Sequence, residues 1–427
     1  MTEPPSTSAS LRSDPDFVRY WMARQISVLG SLVTAVVMPV LIYRVSNSPS
    51  LTALTTVLEG LPYLMIGLFA GALADRWDRR RVMITADLAC AVTIGSVPIA
   101  YFASALTVPH LLAAAFLTQF VFVFFDGAAF GALPTLVGRE RIGEANAVVW
   151  GFGSVLDLSV PMGVGVALAI FHPADLLVVD ALSFVGSALF IRAIRRAMTG
   201  ERQAGHANFR PRELLGDVRE GLDFLWNHAG VRAMTIIGTL QSCAGAGFMA
   251  LSVPYADRLL HIGTSGWRFG LLFSTWGFGG IVAAWLTPRL LRTHSTGWLT
   301  RAAMPISAAA GIATVLASAW WLASALIAVW GVAYQAAVIN SISYRQEQSP
   351  EHLLGRVNTA GRMLSFGVGW TLGAVGAGLL AARVDLRPAM LIMVSIAAIG
   401  AGYGWWGPLR ALARPTTRER TASQPRD

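Results

Sequence analysis

The sequence predicts an all-α membrane protein, with twelve transmembrane helices arranged as two six-helix halves. Three observations carry that expectation. Only 13% of the 427 residues are charged while 54% are hydrophobic, against roughly 25% charge in a soluble domain. A core cannot absorb so much apolar surface, so lipid must cover it. Apolar runs long enough to cross a bilayer, about 20 residues each, recur twelve times along the chain. Arginines collect in alternate loops between those runs, and arginine excess marks the cytoplasmic side.

Taken in order, the apolar runs centre on 18–43, 52–74, 81–104, 109–135, 145–171, 175–195, 232–257, 267–290, 298–318, 320–343, 357–382 and 388–410. Each is apolar all round and too long for the roughly ten-residue alternating strands of a barrel. An even number of spans returns both ends to one side. Loops assigned to the inside carry Arg76, Arg79, Arg80, Arg81, Arg139, Arg141, Arg195, Arg196, Arg289 and Arg292. Loops near 46–51, 105–108 and 318–320 carry none, and Arg258, Arg268, Arg383 and Arg387 stand as exceptions at outer ends. Trp320, Trp321, Trp405 and Trp406 lie near helix ends and read as interface anchors.

The chain therefore divides into a cytoplasmic tail over 1–16, an N-terminal half over 17–197, a cytoplasmic linker over 198–230, a C-terminal half over 231–411 and a second tail over 412–427. The first tail holds no apolar stretch followed by a small-residue cleavage site, so no signal peptide is expected. In the linker, Pro211 suits a first helical turn. Leu214, Leu215, Val218, Leu222, Leu225 and Trp226 follow at helical spacing, which predicts an amphipathic helix on the inner membrane face.

The net charge is +9, and all 33 basic residues are arginine. Because those arginines cluster between apolar spans, membrane topology explains them and nucleic-acid binding does not. Cys90 and Cys243 are separate and give no disulfide or metal pattern. No nucleotide-binding loop, metal-ligand spacing or nucleophile with a base is evident. The chain reads as no enzyme, with no cofactor and no metal.

The two halves also repeat at an offset of about 212 residues. Gly143-Glu144-Ala145-Asn146 corresponds to Gly355-Arg356-Val357-Asn358, and Leu73-Ala74-Asp75-Arg76 to Leu286-Thr287-Pro288-Arg289. Halves related in this way are a transporter architecture, with substrate held between them near the midplane.

The run Gly71-Ala72-Leu73-Ala74-Asp75-Arg76-Trp77-Asp78-Arg79-Arg80-Arg81 resembles the signature loop between the second and third helices of the major facilitator superfamily. Ile26 to Gly30, Ala86-Asp87-Leu88, Glu144-Ala145-Asn146, Asp180 to Phe184 and Gly355-Arg356-Val357 fit the same pattern. The branch it resembles is that of drug:proton antiporters of the macrolide-efflux type. The resemblance implies a monomer in the inner (plasma) membrane, surrounded by lipid and exchanging a small-molecule substrate for protons. It implies an inner gating latch of Gly71, Asp75, Arg76, Arg79, Arg80 and Arg356, with Asp75 facing the N-terminus of the eleventh helix. A helix N-terminus favours such a carboxylate.

The chain departs from the pattern in places. Asp78 stands where many members have glycine. Leu133-Pro134-Thr135 offers no acid to Arg79, leaving Glu140 or Glu144 as substitutes. Pro288 stands where the second half would need an acid. In the fifth helix Val160-Pro161-Met162-Gly163-Val164-Gly165 resembles the antiporter motif at Pro161 and Gly165.

Ionisable side chains inside a span are costly and mark function. Arg24, Glu59, Asp87, Asp126, Asp157 and Asp180 qualify. Asp87 and Asp180 lie a turn or two from helix ends on helices that face lipid in the family, so they read as structural acids within reach of headgroups. Arg24 stands about 10 Å, and Asp126 about 13 Å, above the inner helix ends at 1.5 Å per residue. Matched depth and opposite charge make them a candidate pair, either permanent or built around a protonatable acid. Asp157 and Glu59 are further candidates for the coupling proton or for a cationic substrate. Gln119, Gln241, Trp276, Tyr334, Gln335, Asn340 and Trp370 could line a cavity.

The reading that follows is a secondary active transporter exporting small amphipathic molecules, drugs or metabolites, by proton antiport and alternating access. An importer or uniporter of a polar nutrient is the alternative within transport. A non-transporting membrane sensor or scaffold is the alternative of another class.

Overall fold

The computed structural model describes residues 11–74, 77–138, 141–198, 211–350, 353–407 and 409–412, without the side chains of 12, 68–74, 211–215, 217, 355, 411 and 412. Asp75, Arg76 and Glu140 lie outside the described residues, and Gly71 is described through its backbone only.

After a short turn over Leu11–Ser13, sixteen α-helices follow: α1 (Pro15–Ser46), α2 (Pro49–Ala74), α3 (Arg79–Phe102), α4 (Val108–Val137), α5 (Ile142–Ala167), α6 (Pro173–Ala193), α7 (Pro211–Asn227), α8 (Ala229–Ala250), α9 (Ser252–Pro254), α10 (Trp267–Leu290), α11 (Thr296–Leu316), α12 (Trp320–Gln348), α13 (Leu354–Arg362), α14 (Thr371–Ala381), α15 (Leu386–Trp406) and α16 (Leu409–Leu412). Among the described residues, eleven helical stretches are long and apolar enough to cross a membrane, one of them over Arg356–Ala381. The 26-residue α2 stands in sequence between the first two of these. With it, the order matches the twelve apolar runs of the sequence.

Local chemistry sets the helix starts. Asp78 takes extended backbone geometry and accepts from Arg80 N and Arg81 N, satisfying two of the amides that a helix start leaves open. That explains an acid where the signature pattern has glycine. Thr107, His228 and Ser295 cap α4, α8 and α11. His172 and Asp175 form a reciprocal capping box on α6, ahead of Pro173. Burial, with Arg44 nearby, holds the His172 imidazole below its ordinary value despite Asp175, which keeps Nδ1 available to accept from Ala174 N at 3.2 Å.

The seventh and eleventh runs contain breaks that periodicity did not reveal. The seventh ends at Ala250 and passes through α9 into a π-turn at Tyr255–Leu259. The eleventh carries a π-helical segment at Met363–Trp370, between α13 and α14. Such π segments often accompany functional positions.

By contacts the chain sorts into two units. One is Met1–Ser46 with Met65–Arg210, and the other is Asn47–Leu64 with Pro211–Asp427. In the first, α6 packs on α1 and α3, and α1 also meets α4 and α5. Its inner core gathers Phe17, Tyr20, Ala23, Met83, Phe125, Ala129 and Ile191. In the second, α12 packs on α10 and α11, α15 on α8 and α11, and α7 on α13. The N-terminal part of α2 belongs with this unit, where glycines admit close approach. A Cβ at Gly60 would stand 2.8 Å from Thr371 Oγ1, and one at Gly367 would stand 3.3 Å from the Leu64 backbone. Val92, Ile99, Phe130, Ile170 and Trp406 are exposed, as side chains meant for lipid would be.

Candidate functional site

The first unit concentrates charge inside the bundle. Arg24 on α1 places Nη2 3.5 Å from Asp126 Oδ1 on α4, with side-chain exposures of 13% and 28%. The Phe125 ring lies 5.5 Å from the guanidinium carbon. Tyr20, one turn below Arg24, donates its hydroxyl to Ala129 O at 3.0 Å. Gln25 donates to Val149 O on α5 at 3.1 Å. These bonds tie α1 to α4 and α5 on both sides of the arginine and fix its height. The pair is neither sealed nor fully exposed, so its attraction is stronger than in bulk water.

Two further acids surround it. Asp180 on α6 is 1% exposed and accepts from Thr34 Oγ1 at 2.5 Å and Ser183 Oγ at 3.1 Å. Gly30 makes this possible, since a Cβ there would stand 2.3 Å from Asp180 Oδ1. Asp87 on α3 is 0% exposed, and neither of its oxygens has a hydrogen-bond partner among the described residues. The expectation that both acids reach the headgroups is therefore corrected. Their height along the helix allowed it, but both point inward, where α6 packs on α1 and α3.

The Arg-rich loop is anchored by carbonyls. Arg79 is 3% exposed and donates through Nη1 to Gly131 O at 2.6 Å, Thr135 Oγ1 at 3.2 Å and Met198 O at 3.4 Å. Gly131 leaves room for it, because a Cβ there would stand 2.6 Å from the guanidinium. Glu144, a substitute acceptor by sequence, instead pairs with Arg141 at 3.2 Å. Arg80 donates to Arg196 O at 2.6 Å. Arg356 pairs with Glu220 of α7, and a Cβ at Gly221 would stand 2.7 Å from Arg356 O.

The remaining sequence candidates disperse. Glu59 is half-buried on α2 and Asp157 is exposed on α5; neither has an ion pair or hydrogen bond among the described residues. Pro161 and Gly165 are buried in an unbroken α5. Gln119 is half-buried on α4, and Gln335 on α12 lies near Gly280.

In the second unit, Gln241 is buried and donates to Ser307 Oγ at 2.5 Å. Asn340 is buried and donates to Thr296 O at 2.8 Å and Thr300 Oγ1 at 2.7 Å. Trp276 meets Tyr334 at 5.0 Å in a tilted contact and Trp330 at 5.4 Å edge-on. A cavity of about 10 Å³ between Trp276, Phe248 and Ile327 has room for about one water. Trp370 closes the π segment and stacks on Phe366 at 6.1 Å. Gln241, Asn340 and Tyr334 thus serve as packing and hydrogen-bonding groups in this arrangement.

Sequence reasoning missed Arg345. It is 4% exposed near the C-terminal end of α12, donates to Asn358 Oδ1 at 3.3 Å, and lies over Gly361. Its place at the polar end of an apolar run disguised its burial.

The family profile described as transmembrane secretion effector matches residues 6–415. Macrolide efflux protein A of Streptococcus pyogenes is 23% identical over 225 residues, covering 52% of this chain and 54% of that protein, so the match spans about half the relative's length. Enterobactin exporter EntS of Citrobacter koseri is 27% identical over 82% of this chain and 81% of its own. Multidrug efflux pump Tap of Mycolicibacterium fortuitum is 26% identical over 85% and 88%. Among solved structures, an inward-facing, unoccupied bacterial homologue of the human lysosomal transporter Spinster superposes with a TM-score of 0.74 at 14% identity, covering 97% of this chain and 100% of that one. An inward-facing bacterial homologue of the iron transporter ferroportin gives 0.71 at 13%, covering 93% and 99%. At such identities these structures speak to fold alone.

Proposed function

The chain belongs to the transmembrane secretion effector family of the major facilitator superfamily, and from that premise we propose that it exports small amphipathic molecules, drugs or metabolites, in exchange for protons. The observation that carries this reading is the Arg24–Asp126 pair inside the first unit. A charge taken out of water is costly unless paired, so an acid that loses its arginine to a competing group takes up a proton. Exchange of one for the other is the elementary step of an antiporter. Direction is inferred from relatives named for macrolide efflux, enterobactin export and multidrug efflux.

Asp157 and Glu59 are the next acids in line. Gly71, Asp75, Arg76, Arg79, Arg80 and Arg356 form the proposed inner latch. Asp75→Asn is expected to lower transport while expression holds, and wild-type transport would reject the latch role. Both termini and the 198–230 linker are assigned to the cytoplasmic face of the cell membrane on the arginine distribution. A cysteine placed at residue 206 should resist impermeant reagents from outside intact cells, and one at residue 48 should react.

The main test reconstitutes the chain in proteoliposomes and follows a labelled macrolide with and without a pH gradient. Accumulation on the acidic side, collapsing when a protonophore removes the gradient, is the expected result. Movement indifferent to the gradient rejects proton antiport.

A further inference from the structure

Arg301 stands five residues into α11, one of the membrane-length helices. That is about 8 Å inside the start of the helix at 1.5 Å per residue. Helical side chains lean toward the N-terminus, so this one leans toward the membrane boundary where α11 begins. Its backbone prepares a partner. Pro305, one turn on, has no N–H, so the Arg301 carbonyl loses its helical donor. Trp405, next to last in α15, supplies the replacement and donates Nε1 to Arg301 O at 2.9 Å. That bond holds the indole where its ring centre lies 4.5 Å from the Arg301 guanidinium carbon. The guanidinium donates no hydrogen bond and forms no ion pair among the described residues, and its Nε is buried without an acceptor. On α12, α15 and α16, which pack against α11, the one acid is Glu347, and it too forms no ion pair among the described residues. The surroundings are open: Trp405 is 47% exposed, and Trp298, one turn nearer the start of α11, is 39% exposed. His294 stacks on the Trp298 ring at 3.9 Å and steadies it.

We propose that this seat on α11 and α15 binds the headgroup of an anionic phospholipid, with the Arg301 guanidinium donating to the phosphodiester oxygens. The planar fork of N–H groups matches a phosphate, and stacking on Trp405 fixes its plane while leaving its donor edge free. The Trp405 and Trp298 rings lie near helix ends, where indoles favour the headgroup level, and they offer apolar surface to the first carbons of the acyl chains. A cation without an acid favours a headgroup of net negative charge over a zwitterion, which brings a cation of its own. A soluble phosphate offers the same oxygens but no chains to cover the indoles, so the exposed rings commit the seat to lipid. The bound lipid would reinforce the tie between α11 and α15 that Pro305 and Trp405 already make. The inference is independent of transport direction and of proton coupling.

The experiment is native mass spectrometry of the full chain released from detergent, titrated with phosphatidylglycerol or with phosphatidylcholine. Wild type should hold one phosphatidylglycerol more tightly than it holds phosphatidylcholine. Arg301→Gln should weaken that binding about tenfold or more, as expected for loss of hydrogen bonds from a charged group. Trp405→Phe keeps a ring but removes the indole donor, so it should weaken binding by a smaller factor. It also serves as the test if Arg301→Gln fails to fold. Arg292 is exposed in the turn before α11 and lies outside the seat, so Arg292→Gln should leave the tight binding in place. Equal affinity for the two lipids in wild type, or unchanged phosphatidylglycerol binding in Arg301→Gln and Trp405→Phe, would overturn the proposal. An equal loss in Arg292→Gln would mean diffuse attraction to a basic surface and overturn it as well. Displacement of the lipid by excess inorganic phosphate would mark a site for free phosphate and reject one for lipid.

Discussion

The two units solve the problem of polar groups inside a membrane protein differently. The first places Arg24, Asp87, Asp126 and Asp180 in one bundle, with acids outnumbering the cation and one acid lacking hydrogen bonds. The second uses neutral groups, with Gln241 donating to Ser307 and Asn340 to Thr296 and Thr300, while Gln241 Oε1 and Asn340 Oδ1 accept no hydrogen bond among the described residues. Arg345 is its buried exception, held by Asn358. Neutral networks with good geometry lock helices together. An unbalanced charge cluster has more than one arrangement of similar energy, which is what a moving proton requires. The comparison assigns titration to the first unit and support to the second.

The widest separation between the units is expected for Asp126→Asn against Asn340→Ala. The first should reduce gradient-driven macrolide transport in proteoliposomes to the level of empty vesicles, and its melting temperature should also fall because Arg24 is left without the acid. The second should keep gradient dependence and lower stability by about 1 kcal/mol for each hydrogen bond lost. Gradient dependence lost in Asn340→Ala as well would end the division of labour.

Arg79→Ala comes next. It removes charge-assisted hydrogen bonds from buried carbonyls and should cost on the order of 3 kcal/mol, read as a fall in detergent melting temperature. A variant that melts like wild type would mean that the Gly131 and Met198 carbonyls find water instead.

Glycine contacts allow a finer comparison. A Cβ at Gly373 would stand 2.2 Å from the Cys243 carbonyl oxygen, whereas one at Gly30 would meet Ser183 Oγ at 2.0 Å. At Gly30 the Ser183 hydroxyl and the Asp180 carboxylate can turn, although Ser183 Cβ at 2.7 Å cannot, whereas at Gly373 all three near atoms are helix backbone. Gly373→Ala is therefore expected at or above the upper end of the roughly 1–3 kcal/mol overpacking range and Gly30→Ala within it. The reverse order in thermal unfolding would show that the hydroxyl and carboxylate network around Asp180 is the stiffer contact.

The smallest effect belongs to Glu220→Gln. The Arg356–Glu220 pair is half-exposed, and such pairs contribute about 0–1 kcal/mol. A larger loss, insensitive to salt, would mean that α7 is clamped to α13 by charge rather than by the close approach at Gly221.

Residue order alone determined the number, length and order of the spans, because lipid demands about 20 apolar residues per crossing and charge is admitted only between them. It also made Arg24 and Asp126 a candidate pair, since the helical rise converts position into depth. Depth says nothing of which way a side chain points. Asp87 and Asp180 looked near enough to the surface to reach headgroups, and only the packing of α6 on α1 and α3, with Gly30 opening space beside Asp180, turned them inward. Among the described residues Arg79 meets helix-end carbonyls and a glycine gap, and neither carries a sequence mark. Asp78 broke the signature pattern for a local reason, capping α3, that the pattern could not express. Hydropathy is summed along one strand of chain and is legible there; the partners of a buried charge come from residues up to 180 positions away, and only tertiary packing chooses them.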